Sequence, residues 1–129
     1  MSRITKIELL ESGYTLPHHR YSIYEKNNKF YLEYNLIGSF ATKKNNIVEI
    51  SYVEYERIVN HLLKYYQILK WKDNYAPQDS FVLDGKEWYL EIYEGDVTIK
   101  TIVGLNAYPK NYNSFRNYIE NKCRTLEAR

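Results

Sequence analysis

Apolar and polar residues alternate along much of the chain, with a period of two. The alternation is loose over residues 3–11 (RITKIELLE) and clear over 20–25 (RYSIYE) and 29–35 (KFYLEYN). Period two places successive side chains on opposite faces of a strand, so each run predicts a half-buried β-strand. The pair Asn27-Asn28 separates the second run from the third. Asparagine tolerates left-handed backbone angles, so the pair predicts a tight hairpin. Gly13, Pro17 and the pair His18-His19 mark a break before the second strand. The polar stretch 38–46 reads as a loop and the apolar run 47–50 (IVEI) as a short strand.

The period then changes. Tyr55, Ile58, Val59, Leu62, Leu63 and Tyr66 recur at helical spacing, while Glu54, Arg57, Asn60, His61 and Lys64 fall off that stripe. Ser51-x-x-Glu54 stands directly before it as a capping box. The spacing predicts a helix over 52–66. Residues 67–72 (QILKWK) read as a short strand and 73–80 as a turn-rich linker. Residues 80–84 and 87–93 then predict strands on either side of Gly85. Glu94-Gly95-Asp96 predicts a second hairpin into a strand over 97–103, and 104–111 is a loop. Phe115, Tyr118, Ile119, Lys122, Cys123 and Leu126 form a second helical stripe over 112–126.

The expected architecture is α+β. Six or seven short, mainly antiparallel strands form a sheet with two amphipathic helices on one face, in the order β-β-β-β-α-β-β-β-α. The 129 residues fit one domain over 1–129. Residues 29–34 (KFYLEY) parallel 87–92 (EWYLEI), and each stands some 18–20 residues before a helix start. This similarity suggests a pseudo-repeat with halves 1–66 and 67–129.

Composition excludes several classes. No apolar run approaches the roughly 20 residues that cross a bilayer. A lone cysteine, Cys123, forms no internal disulfide. With the first six residues, which lack the apolar core of a signal peptide, it predicts a cytoplasmic chain. The net charge of +2 gives no electrostatic footprint for nucleic acid. The charge is unevenly spread, +4 over residues 1–72 and −2 over 73–129. Tyrosine is in surplus, 15 residues against 4 Phe and 2 Trp. A surplus of Asn, Lys and Ile points to an AT-rich genome as part of the cause, although the scarcity of Phe limits that explanation.

Alternation sorts the tyrosines. Tyr34, Tyr55, Tyr66 and Tyr118 fall on apolar faces and read as core. Tyr31 and Glu33, and likewise Tyr89, Glu91 and Tyr93, fall on the opposite strand faces. Exposed tyrosine suits a contact surface because it brings large area at low rotamer entropy. Glu33 and Glu91 are acid–base candidates only if the fold brings them together. A solvated outer face of the sheet explains the same residues.

Other chemistry is thin. His18 and His19 point to opposite sides of an extended chain, His61 has no partner at helical spacing, and Cys123 lies on an apolar stripe. No metal site and no cofactor is expected. No phosphate-binding glycine loop or nucleophile elbow is present. Lys43-Lys44 reads as a solubilising loop tip.

The run Trp88-Tyr89-Leu90-Glu91-Ile92, followed by Gly104-Leu105-Asn106-Ala107-Tyr108-Pro109 and Phe115, resembles a W-x-L-x-I … G-x-N-A-Y-P motif of small uncharacterised bacterial and phage domains. The resemblance covers roughly residues 80–122. It implies an α+β domain of prokaryotic or phage origin and brings no activity with it. Here Glu94-Gly95-Asp96 replaces the family's Asp-Gly turn. Gly104 permits positive φ, Asn106 caps a turn and Pro109 stops the strand. Asn106 and Tyr108 as a ligand-contact pair is the sharper alternative.

The favoured functional expectation is a non-enzymatic protein-binding module of immunity, inhibitor, anti-defence or adaptor type. Its candidate contacts are Tyr31, Glu33, Tyr89, Glu91, Tyr93, Asn106 and Tyr108. A nucleic-acid-associated protein using tyrosine stacking ranks second, and a small enzyme third. The expected partner is another protein. No membrane partner is expected, and tyrosine faces and edge strands leave a homodimer open.

Overall fold

The computed structural model describes residues 3–13, 18–37, 44–76 and 86–125. Among the described residues seven strands form one sheet: β1 (Ile4–Gly13), β2 (His18–Lys26), β3 (Lys29–Ile37), β4 (Lys44–Ile50), β5 (Asn74–Tyr75), β6 (Lys86–Glu94) and β7 (Val97–Leu105). Their order across the sheet is β4-β3-β2-β1-β6-β7-β5. Every pairing is antiparallel except that of β5 with β7. Helices α1 (Tyr52–Asn60) and α2 (Tyr112–Thr125) complete the fold. The class is α+β, as expected, and strands from both halves of the chain share one sheet.

Turn chemistry sets the register. Asn27 and Asn28 have φ of 53° and 63°. A type I′ turn needs positive φ at both positions, and it pairs Lys26 with Lys29. Gly95, at φ 61°, opens the second two-residue turn and pairs Glu94 with Val97.

Alternation then separates the faces. Ile7, Leu9, Tyr21, Ile23, Leu32, Tyr34, Trp88, Leu90, Ile92 and Ile102 are buried on one face. Tyr55, Ile58 and Val59 of α1 and Phe115, Ile119 and Cys123 of α2 join the same core. Tyr34, Tyr55 and Tyr66 are core residues as their spacing predicts, and Tyr118 packs partly buried against them. Buried tyrosine needs a partner for its hydroxyl. Tyr55 donates to the Ile4 carbonyl at 2.6 Å, and the Tyr66 hydroxyl meets Ser114 at 3.0 Å.

Several elements differ from expectation. Residues 67–72 form no strand. Gln67 turns left-handed at φ 53°, and Ile68–Lys70 is a 3₁₀ turn. Ile68 and Trp71, three apart, are both buried, and Trp71 Nε1 donates to the Tyr66 carbonyl at 3.1 Å. The fifth strand is instead the two-residue β5, inside the expected linker. The first helix keeps its expected length, but its last turn, His61–Tyr65, is a π-helix. The wider turn places the His61 ring against Tyr65, Tyr66 and Tyr118, at 4.8, 5.2 and 4.3 Å, and not in open water. The expected strand over 80–84, Lys43 and Leu126 lie outside the described residues.

Candidate functional site

The face of the sheet opposite the core carries two registered rows that use four of the seven candidate residues, and Tyr89, opposite Leu10, stands beside them. The first row runs Tyr31, Tyr24, Lys6, Tyr93 across β3, β2, β1 and β6. Tyr24 and Tyr31 stack with centroids 5.4 Å apart. The Lys6 ammonium lies 6.0 Å from the Tyr24 ring and 5.7 Å from that of Tyr93, a cation held between two π faces.

The second row runs Glu33, Ser22, Glu8, Glu91. The structure therefore sets Glu33 and Glu91 in line without bringing them together. Three strand spacings part them, about 14 Å, too far for a shared acid–base step. Glu8 and Glu91 are directly opposite instead, a like-charge pair across β1 and β6. Beside them Leu10 and Tyr89 complete the lining of a hollow of about 260 Å³.

Tyrosine hydroxyls organise these carboxylates. Tyr24 donates to Glu33 at 2.7 Å, Tyr93 to Glu91 at 2.6 Å and Tyr89 to Glu87 at 2.8 Å. Asn35 Nδ2 donates to Glu33 at 2.8 Å, and Ser22 Oγ to Glu8 at 3.1 Å. Lys6 is 3.0 Å from Glu8. A phenol that donates to a carboxylate resists ionisation. Hydrogen bonding to Glu87 and Glu91 raises the pKa values of Tyr89 and Tyr93. Burial and then Glu33 raise that of Tyr24.

Asn106 and Tyr108 lie elsewhere, at the end of the sheet. Asn106 sits at φ 51°, and its Oδ1 accepts the Lys86 N–H at 2.8 Å. It ties the end of β7 to the start of β6 and is a structural turn residue. The positive φ falls on Asn106 and not on Gly104. Gly104 is required for another reason: it lies opposite Trp88, whose indole occupies the place of a side chain there. Trp88 Nε1 donates to the Ala107 carbonyl at 2.9 Å. Tyr108 stacks on the same indole, with centroids 6.0 Å apart and planes 11° apart. The W-x-L-x-I and G-x-N-A-Y-P segments are thus one packed unit.

Tyr108 also lines a cleft of about 720 Å³ between the ends of β1, β2 and β6 and the start of α2. Glu11 and Arg116 sit on opposite walls and meet. Glu11 accepts from Tyr112 Oη at 2.6 Å and from Arg116 Nε at 3.0 Å. Arg116 also pairs with Glu120, one turn on, and Nη2 reaches Tyr21 Oη at 3.4 Å. Burial, then Glu11, pushes the Tyr112 phenol far above its ordinary range. The pattern contains a trace of this cluster. Glu11 continues the apolar parity of Ile7 and Leu9, and Arg116 follows Tyr112 at i+4. Opposite charges at two core-facing positions are the signal, and nothing local in the sequence pairs them.

No family model, curated protein or solved structure matches the chain. No described helix is long and apolar enough to cross a membrane.

Proposed function

We propose that the chain is a non-enzymatic protein-binding module of prokaryotic or phage origin, of immunity, inhibitor, anti-defence or adaptor type. It works in the cytoplasm and holds a basic partner protein on the open face of the sheet. The observation that carries this reading is the hollow between Glu8 and Glu91. Like charges directly opposite on neighbouring strands destabilise a sheet. A lysine or arginine from a partner relieves that cost, with its stem against Leu10 and Tyr89 and its cation between the carboxylates. The Tyr–Glu hydrogen bonds hold the carboxylates in place beforehand, which lowers the ordering cost of binding.

Carboxylates on this face weigh against the nucleic-acid reading. A stacking platform for single strands also needs a basic groove. The hairpin–helix units β3–β4–α1 and β6–β7–α2 support the reading of a pseudo-repeat, since the similar segments 29–34 and 87–92 both open such a unit.

Titration of the isotopically labelled protein with a hexa-lysine peptide tests the proposal. The expected result is a saturable shift of the Tyr89 and Glu91 amide signals, lost in Glu8→Gln/Glu91→Gln and weakened by salt. A hexa-glutamate peptide shifts nothing. Unchanged spectra with hexa-lysine, or tighter binding of a single-stranded oligonucleotide, overturn it.

A further inference from the structure

The cleft at the end of the sheet is separate from the open face, and its chemistry selects a different kind of ligand. Two acids, Glu11 and Glu87, and two bases, Lys86 and Arg116, line it. Their formal charges cancel. Glu11 already accepts at both oxygens, and Arg116 already donates from all three nitrogens. An anion gains Arg116 only by breaking those contacts, so phosphate and carboxylate are poor cargo.

Besides Lys86 and Glu87, whose opposite charges offset one another, neutral polar groups face the cleft. Asn113 and Asn117 are exposed and stand at i and i+4 on α2, on one side of the helix. Each amide offers two donors and one acceptor oxygen. Such groups match hydroxyls, which both donate and accept. On another wall Tyr108 is 42% exposed, and Trp88, 1% exposed, stacks against its ring. An aromatic face carries partial negative charge and packs against the slightly positive C–H groups of an aliphatic ring. A cavity of this size fits a ligand of one or two rings.

The geometry points to a binding site for a neutral saccharide unit in this cleft, stacked on Tyr108 and hydrogen-bonded by Asn113 and Asn117. The Glu11–Arg116–Tyr112 network holds the two walls at a fixed spacing.

Four neutral disaccharides test it: maltose, cellobiose, lactose and N,N′-diacetylchitobiose. Each is titrated into labelled full-length protein, followed at the Trp88 indole N–H and the side-chain amides of Asn113 and Asn117. Glucose 6-phosphate and adenosine serve as anionic and planar comparators. At least one disaccharide is expected to give saturable shifts at these signals, with a millimolar or tighter Kd. Tyr108→Ala and the exposed double variant Asn113→Ala/Asn117→Ala are each expected to weaken it about tenfold or more. Three results overturn the proposal: no disaccharide shifts these signals up to about 50 mM, the shifts survive unchanged in both variants, or a comparator binds more tightly than every disaccharide.

Discussion

The hydroxyl of Tyr112 donates to the carboxylate of Glu11 at 2.6 Å, across 101 residues of sequence. The bond joins the first strand to the last helix. Arg116, one turn further along α2, donates to the other oxygen of the same carboxylate. The pair therefore closes the fold at the end where the cleft lies.

Removing the Tyr112 hydroxyl takes away one of the two bonds to Glu11 while preserving the ring contacts with Trp88 and Phe115. Tyr112→Phe is expected to cost about 2 kcal/mol, the usual worth of a hydrogen bond to a charged group. Urea unfolding measures it through a shifted midpoint at unchanged slope. A variant as stable as the parent means the contact with Glu11 contributes nothing.

The same burial makes the protein sensitive to alkali. Burial pushes the phenols of Tyr21, Tyr24, Tyr55 and Tyr112 above the ordinary tyrosine value, with Glu33 adding at Tyr24 and Glu11 at Tyr112. Burial also pushes the Cys123 thiol up to about 12. An unfolded chain releases these protons earlier, near pH 9 for the thiol and near pH 10 for the phenols. The folded state binds more protons above those values, so stability is full below about pH 9 and falls as pH rises. Circular dichroism and tyrosinate absorbance followed together should show late ionisation coinciding with unfolding. Smooth ionisation of every tyrosine near pH 10 with the fold intact contradicts this.

Gly104 and Gly95 separate packing from backbone conformation. A Cβ at Gly104 overlaps the Trp88 indole at Nε1, Cε2 and Cδ1. Trp88 is buried and bonded to Ala107, so it has little room to yield. Gly104→Ala is expected to cost about 3 kcal/mol, the upper end for an overpacked core. Gly95 has positive φ and open space around its Cβ. Gly95→Asn, which tolerates that φ, is expected to cost well under about 1 kcal/mol. Thermal unfolding ranks the two, and equal losses refute the distinction.

How much of this was legible in the pattern depends on range. Asn27-Asn28, the Ser51 cap and both helical stripes are local signals, and the structure contains them. Ser51 Oγ accepts the Glu54 N–H at 3.1 Å, as the capping spacing predicts. The run 67–72 misled because Ile68 and Trp71 are buried three apart, a 3₁₀ spacing short enough to pass for alternation. Alternation placed Tyr31, Tyr89 and Tyr93 on the correct face, but left open which carboxylates meet. Strand order decides that, and it set Glu8 opposite Glu91 and kept Glu33 apart. The Glu11–Arg116 ion pair spans 105 positions, and only the closed sheet brings those positions together.

The Glu8–Glu91 pair permits a prediction in which stability and binding move in opposite directions. The two carboxylates are opposite on β1 and β6, and Lys6 at 3.0 Å offsets only part of the repulsion at Glu8. Neutralising one side removes the repulsion and keeps an amide that still accepts from Tyr93. Glu91→Gln is therefore expected to stabilise the fold by about 0.5 kcal/mol, the scale of a cross-strand pair. The gain should shrink at high salt, where the charges are screened. The same substitution is expected to weaken hexa-lysine binding, because the partner cation loses one of its two carboxylates. Urea unfolding at low and high salt, beside the peptide titration, measures both. A Glu91→Gln protein that is less stable than the parent at low salt shows that the pair is not strained, and the argument for a cation-receiving hollow loses its physical basis.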